Sequence, residues 1–188
     1  DTGKRNLQGL DKPILDSLGI DKNKPEKQQR NQTGSPILEE GDILLNTTLA
    51  ETNDWQQVDL PVMRTLRHFC IETLSSYTED NQACISEVDL LDDKGQPIDK
   101  TKWEVVYVSS EQADKNLGIA ENLFDGDISS FWHTDPATEP GQPHRIIVDI
   151  KEIYKISALR FKVRKGAFLS GKVKEINVYG RPQFFLFH

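Results

Sequence analysis

Residues 120–134 read AENLFDGDISSFWHT, a glycine-centred acidic turn followed directly by an aromatic run. On both sides lie short runs of β-branched and aromatic residues bounded by Gly, Pro, Asn or Asp, a pattern typical of strands and turns. Because no segment carries a long helical apolar stripe, apart from a turn near 120–124, the chain is predicted to be all-β, an antiparallel β-sandwich. The predicted strands are 42–45, 55–60, 68–74, 83–91, 103–109, 144–149, 153–164, 172–179 and 183–187.

The composition indicates a soluble, folded protein and excludes two classes of partner. The 188 residues include 23 Lys and Arg against 30 Asp and Glu, a net charge of −7. Nucleic-acid binders neutralise phosphates with clustered Lys and Arg, so no nucleic-acid partner is expected. No apolar run approaches the roughly 20 residues of a membrane helix, so no membrane-spanning segment is expected.

The first part of the chain has a different composition from the rest. Residues 1–37 contain scattered Leu and Ile and a polar block, KNKPEKQQRNQTGSP, which is typical of a linker or of the tail of an upstream domain. Residues 38–188 are predicted to form the sandwich. The start lacks the basic and apolar stretches of a signal peptide, so the sequence is either a mature form or, as we expect, a piece of a longer protein.

The sequence carries none of the common catalytic signatures. It has no Gly-rich phosphate loop, no His-Glu-x-x-His, no Gly-x-Ser-x-Gly and no Cys-x-x-Cys. His68 falls in a strand pattern and His188 is terminal, which leaves His133 and His144 as histidines that could serve a site. We therefore expect a chain that is not itself an enzyme. The two cysteines, Cys70 and Cys84, allow one disulfide or two buried thiols, and we favour buried thiols.

The acidic turn offers oxygen ligands. Asp125, Asp127 and Ser130 surround a tight turn that Gly126 permits, and Ca²⁺ takes about six to eight oxygen ligands from such groups. The same residues can also form a simple Asx turn without any metal. From the residues alone, a structural calcium site and an Asx turn are both open.

Aromatic, basic and acidic residues near this turn could bind a sugar. Sugars stack their C–H faces on aromatic rings while charged side chains hold their hydroxyls. Trp132 and Phe168 are the aromatic candidates, and His133 and Arg164 are the candidates for hydrogen bonds. Trp132 could equally be a core residue, and His133 and Arg164 could equally make structural hydrogen bonds.

Four motifs in order resemble the first part of a discoidin domain, the coagulation factor 5/8 type C family, which overlaps with family 32 carbohydrate-binding modules. They are residues 120–134, then PHRIIVDI at 143–150, ISALRFKVR at 156–164 and GKVKEINVY at 171–179. The resemblance implies a galactose-binding-like jelly roll, often with a structural calcium near the Asp-Gly-Asp turn.

The remaining motifs of the family come in an unexpected order. RHFCIETLSS at 67–76 and ACISEVDL at 83–90 resemble the segment that closes a discoidin domain, yet here they come first. Either an upstream discoidin domain ends here and another begins at Trp103, or the domain is circularly permuted. We favour permutation, because neither half alone has enough strands and because the run at 184–187 then finds a partner. The resemblance then implies that Glu87 joins Asp125, Asp127 and Ser130 in binding Ca²⁺, so that the metal site links the two halves of the permuted chain.

A similar order occurs in C-terminal domains of chitobiases and related glycosidases of gut Bacteroidetes bacteria. This resemblance, over about residues 38–179, implies a secreted, periplasmic or cell-surface bacterial enzyme, and the family's sugar-binding Arg falls on Arg164. The contacting loops vary in the family, so His133, Asp135 and Phe168 are assigned to the site only by position. We expect a non-catalytic module that binds glycans of galactose or N-acetylhexosamine type weakly and partners an upstream catalytic domain. The alternative is a structural or protein-docking domain that binds no sugar.

Overall fold

Two long antiparallel strands organise the computed structural model, which describes residues 34–78, 80–137, 141–163 and 170–188. Short 3-10 helices span Glu40–Asp42, Asp114–Asn116 and Ala120–Phe124, and the described residues contain no α-helix. None of these helices is long and apolar enough to cross a membrane. In chain order the strands of the described residues are β1 (Ile43–Thr48), β2 (Gln56–Thr73), β3 (Cys84–Ile85), β4 (Glu87–Asp92), β5 (Glu104–Val108), β6 (Trp132–His133), β7 (His144–Lys162) and β8 (Glu175–Arg181).

The paired strands β2 and β7 run through both layers of a sandwich. Residues 144–149 of β7 pair with β2 on one side, and residues 146–149 pair with β5 on the other. Residues 158–161 of β7 pair with residues 56–59 of β2 on one side and with β4 on the other. One layer therefore has the order β1-β8-β2-β7-β5, and the second has the order β2-β7-β4. The prediction of an antiparallel all-β sandwich is confirmed.

Irregular pairing allows the β2–β7 ribbon to bend between the layers. In β2, residues 60–63 interrupt the regular register opposite Ser157, and in β7, residues 150–153 lie opposite Arg67. Extra residues in one strand of an antiparallel pair increase its twist and bend it. The β2–β7 pair can therefore fold back on itself. Both of its extremities then lie on the side of the sandwich opposite the bend.

An apolar interior fills the space between the layers. Phe69 and Val148 of the five-stranded layer belong to the same buried cluster as Leu90 and Phe161 of the three-stranded layer. Burial of apolar surface contributes about 25 cal/mol per Å², so this shared cluster is the main stabilising contact between the layers.

The two halves of the chain alternate within the sheet. Strand β8 lies between β1 and β2, and β7 lies between β2 and β4. Circular permutation predicts this interleaving, whereas two successive domains would keep their strands in separate sheets.

Several predicted strand boundaries need correction. The strands predicted at 55–60 and 68–74 are one strand, β2, and those at 144–149 and 153–164 are one strand, β7, because the pairing resumes after each irregularity. The strand predicted at 83–91 is divided at Ser86.

The run at 183–187 is not a strand, although it does find a partner. Its backbone meets residues 35–37: Ser35 N–H donates to His188 O at 2.9 Å, and Ile37 N–H donates to Leu186 O at 2.7 Å. Phe185 packs against Cys70 in a small buried cluster on the five-stranded layer. Both cysteines are buried free thiols, as predicted.

Candidate functional site

Loops gather at the end of the sandwich opposite the bend. We call the segments 74–78, 80–83, 109–112, 133–137, 141–143 and 170–174 the loop end. Direct contacts join the segments near it: the Tyr77 hydroxyl donates to Leu49 O at 2.6 Å, and the Gln56 side chain bonds to both the N–H and the C=O of Ala50. Loop ends of rigid sandwiches are common places for binding residues.

His133 holds the loop end together from within. Its side chain is buried, with Nδ1 at 2.5 Å from Thr134 O and Nε2 at 2.7 Å from Ser170 Oγ. Since a carbonyl can only accept, Nδ1 carries a proton and donates it to Thr134 O. Both ring nitrogens thus bond to the protein, which corrects the expectation of a direct ligand contact. A side chain at Gly118 would come within 2.9 Å of the His133 Cβ, so this packing requires glycine there.

Trp132 lies in the core. Its side chain is 0% exposed, and its indole N–H donates to Ser110 O at 2.9 Å. A buried ring offers no face to a sugar, so the prediction that Trp132 contacts a ligand is corrected, and the core interpretation describes its position.

Asp135 lies partly open at the loop end. Its backbone N–H donates to Ser110 Oγ at 2.8 Å, and its carboxylate accepts from Ala137 N–H at 2.9 Å. The residue as a whole is half-buried. Arg164 and Phe168, the other two predicted contacts, lie outside the described residues.

Amide side chains that the sequence analysis did not select connect the loops. Thr134 Oγ1 donates to Gln82 Oε1 at 2.6 Å, and Gln142 accepts from Thr73 Oγ1 at 2.8 Å while donating to Gln82 O at 3.0 Å. His144 Nε2–H donates to Asn81 O at 2.7 Å. The only signal for them in the sequence was their place next to predicted strands. They position the loops from both halves of the chain.

Two aromatic rings near the ends of the ribbon are partly accessible. Trp55 is 37% exposed, and the Arg160 guanidinium lies 4.8 Å from its ring centroid. Tyr77 is half-buried under the Lys174 ammonium, 5.5 Å from its ring centroid. The sequence placed Trp55 in a predicted strand and Tyr77 outside the predicted strands, without a role in binding.

The predicted calcium ligands lie close together. Ser130 Oγ is 2.5 Å from Asp125 Oδ2 and 2.9 Å from Asp127 O, with Asn122 O at 3.5 Å. Gly126 has φ +79° and donates its N–H to both oxygens of Glu87, at 3.2 and 3.3 Å. Oxygen donors from carboxylates, carbonyls and a hydroxyl suit a hard cation.

The Asp127 carboxylate forms a local turn. Its Oδ1 accepts from Ser129 N–H at 2.9 Å and from Ser129 Oγ at 2.6 Å, which is an Asx turn. The backbone carbonyl of Asp127 accepts from the Ser130 hydroxyl at 2.9 Å. Within the described ranges, no group of three or more His, Cys, Asp and Glu side chains is placed to hold a metal. A cation here would therefore depend on carbonyl and hydroxyl oxygens as well as on Asp125 and Glu87.

Glu87 is buried and bonded to a lysine. The Lys100 ammonium donates to Glu87 Oε2, to Asp89 Oδ1 at 2.6 Å and to Val88 O at 3.1 Å. Burial raises the pKa of Glu87 to about 7 and the Asp125 carboxylate adds to this, while Lys100 and the Gly126 N–H oppose it.

Comparison with known proteins finds a family match in the second half of the chain. Residues 105–183 match the family model of the F5/8 type C domain, which covers β5 to β8. Over 84 residues, 44% of this chain, the sequence is 33% identical to a protein described as "Sialidase" from Micromonospora viridifaciens. The chain spans only 13% of that protein. The family match does not cover β1 to β4. These strands contain the motifs at 67–76 and 83–90, which resemble the closing segment of a discoidin domain.

Proposed function

We propose that this chain is a non-catalytic glycan-binding module that holds a bacterial glycoside hydrolase near its substrate, outside the cytoplasm. The observation that carries this proposal is the F5/8 type C match over β5 to β8, together with the likeness to a sialidase of which the matched region is only a small part. The described histidines in the chain interior support a non-catalytic role: His68, His133 and His144 are buried, and each bonds to protein groups.

Binding is proposed at the loop end, on a surface held in place by buried side chains. Arg164 and the Asp135 carboxylate would bond to sugar hydroxyls, and Phe168 would stack on a sugar face. His133 and Trp132 act underneath, by fixing the loop that carries Asp135. A small polar ligand regains little free energy after desolvation, so we expect weak binding by each site.

Two kinds of parent enzyme are compatible with this module. The order of the two halves is similar to that in domains of chitobiases, which favours N-acetylhexosamine glycans. The identity to a protein described as a sialidase, over part of the chain, is compatible with a sialidase-like parent instead. We propose the chitobiase-like parent, because that resemblance extends over both halves of the sandwich.

A second function, docking onto the parent enzyme, is favoured by one surface. Phe184, Leu186 and Phe187 are exposed on the C-terminal segment. Clustered exposed apolar side chains are typical of protein contact sites.

A glycan array tests the first function. The folded 188-residue chain should bind glycans ending in galactose or N-acetylhexosamine, and Arg164→Ala should lose that binding while Lys102→Ala, an exposed change in another segment, keeps it. Repeating the array in calcium and in chelator shows whether a cation matters. If the folded chain binds no glycan, the docking function replaces it, and binding to the parent catalytic domain becomes the measurement.

A further inference from the structure

Lys100 occupies an unusual place in the connection between the two halves. It lies in residues 93–103, which join β4 to β5. Ile98 N–H donates to Leu90 O at 3.0 Å, so this connection runs back along β4 and carries Lys100 to the start of that strand. Its side chain is only 16% exposed, and its ammonium meets three oxygens, those of Glu87, Val88 and Asp89. An ammonium has three N–H donors, so these contacts can satisfy it fully.

Glu87 faces both Lys100 and the oxygen cluster of the acidic turn. One of its oxygens accepts from Lys100, and both accept from Gly126 N–H, the residue between Asp125 and Asp127. Its side chain is 1% exposed, so no water replaces these partners. The carboxylate proposed to bind Ca²⁺ is therefore the one that Lys100 already neutralises.

The two cations exclude each other on electrostatic grounds. A buried carboxylate needs one compensating charge, and removing that charge is strongly destabilising. A divalent ion bound to Glu87 beside an ammonium on the same buried carboxylate would add like-charge repulsion. Asp89 does not depend on Lys100 alone, because Arg160 Nη2 donates to its other oxygen at 2.6 Å.

We propose that Lys100 is an internal competitor of Ca²⁺ for Glu87. In the absence of the metal, its ammonium neutralises Glu87 and joins the connecting segment to β4, so the fold forms without calcium. Calcium binding displaces Lys100 from Glu87 and frees this part of the segment. This competition does not depend on whether the module binds glycans.

Three variants of the 188-residue chain test the competition by calcium titration calorimetry after chelation, with thermal unfolding in calcium and in chelator. Lys100→Gln removes the charge, Lys100→Arg keeps it, and Lys102→Gln removes an exposed charge two positions away. We expect Lys100→Gln to bind Ca²⁺ about 10-fold more tightly or better, while the other two stay close to wild type. In chelator, Lys100→Gln should unfold at a lower temperature than wild type, and calcium should restore it.

The opposite results are equally clear. Equal, weaker or absent calcium binding by folded Lys100→Gln overturns the proposal. So does a Lys100→Gln chain that stays unfolded in excess calcium, because a metal-bound Glu87 should not need the lysine. Glycan binding plays no part in either measurement, so failure here is distinct from failure of the proposed function.

Discussion

The backbone N–H of Phe185 donates to Nδ1 of the buried His68 at 3.3 Å, and the neighbouring Phe184 ring stacks on the same imidazole with centroids 4.4 Å apart. The C-terminal segment is therefore held to the five-stranded layer by a histidine that must be unprotonated at Nδ1. The Arg67 guanidinium adds a cation–π contact with the Phe184 ring, 4.8 Å from its centroid.

Acidification should loosen this segment. Burial lowers the pKa of His68 and the nearby Arg67 and Lys151 add to this, whereas Asp149 opposes it. A lowered pKa in the folded state means that the unfolded chain binds more protons, so this contribution to stability is present above about pH 6.5 and is lost as the pH falls through the folded pKa. The melting temperature of wild type should therefore fall more between pH 7.5 and 5.5 than that of His68→Gln.

The comparison with His68→Gln removes the contribution of other titrating groups. The pKa of Glu87 is raised, so its protonation favours the folded state as the pH falls, which is opposite to the effect of His68. This contribution is the same in wild type and in His68→Gln. Equal pH dependence in the two proteins would show that His68 does not hold the segment.

Trp132 should matter far more for stability than Trp55. Trp132→Ala opens a cavity in the core and should lower the free energy of unfolding by about 3–5 kcal/mol. Trp55→Ala removes an exposed ring with one cation–π contact, so its effect should stay below about 1 kcal/mol. Urea unfolding of both variants measures the difference, and similar losses would contradict the core position of Trp132.

Glu72 should be a sensitive position on the outer face of the five-stranded layer. It is buried and accepts from Arg145 Nε at 2.7 Å and from Asn177 Nδ2 at 3.0 Å. Glu72→Ala should cost about 3 kcal/mol, because it leaves these donors unpaired. Glu104→Ala breaks an exposed ion pair with Lys151 and should change stability by less than about 1 kcal/mol. Denaturant unfolding that ranks the two variants in the reverse order would refute this.

Gly171 should be irreplaceable at the loop end, and Gly95 provides the control. Both have positive φ, +77° and +76°, but only at Gly171 would a Cβ meet backbone, at 3.0 Å from the Ala83 carbonyl carbon. Gly95→Ala should cost about 1–2 kcal/mol from backbone strain alone. Gly171→Ala should cost more, because Ala83 and the loop after it must also move. Thermal unfolding compares them, and equal losses would show that the close approach is unimportant.

Much of the fold could be predicted from local pattern. Alternating apolar residues and Gly or Asp turns identify the strands, because a half-buried strand must alternate and a chain reversal needs permissive residues. The bend was not predictable, since the mostly exposed residues 61–65, which begin with a proline, look like a loop and yet continue β2. Pairing with β7 decides that, and pairing is non-local.

The candidate site shows the same division. The resemblance to discoidin domains implied that Glu87 from the first half meets the turn at 125–130 from the second half, and the structure brings them together through the Gly126 N–H. The burial of Trp132 and His133 was open in the sequence, because an aromatic run after an acidic turn can face either way.

By itself, the sequence determined the class of the fold and the acidic turn, since these depend on residue types and short spacings. Only the tertiary structure decided that Lys100, 13 residues from Glu87 along the chain, returns beside β4 to neutralise it. It also decided that His133 bonds to Ser170 instead of facing a ligand. Charge pairing and burial depend on which surfaces the folded layers bring together, and a pattern along the chain does not contain that information.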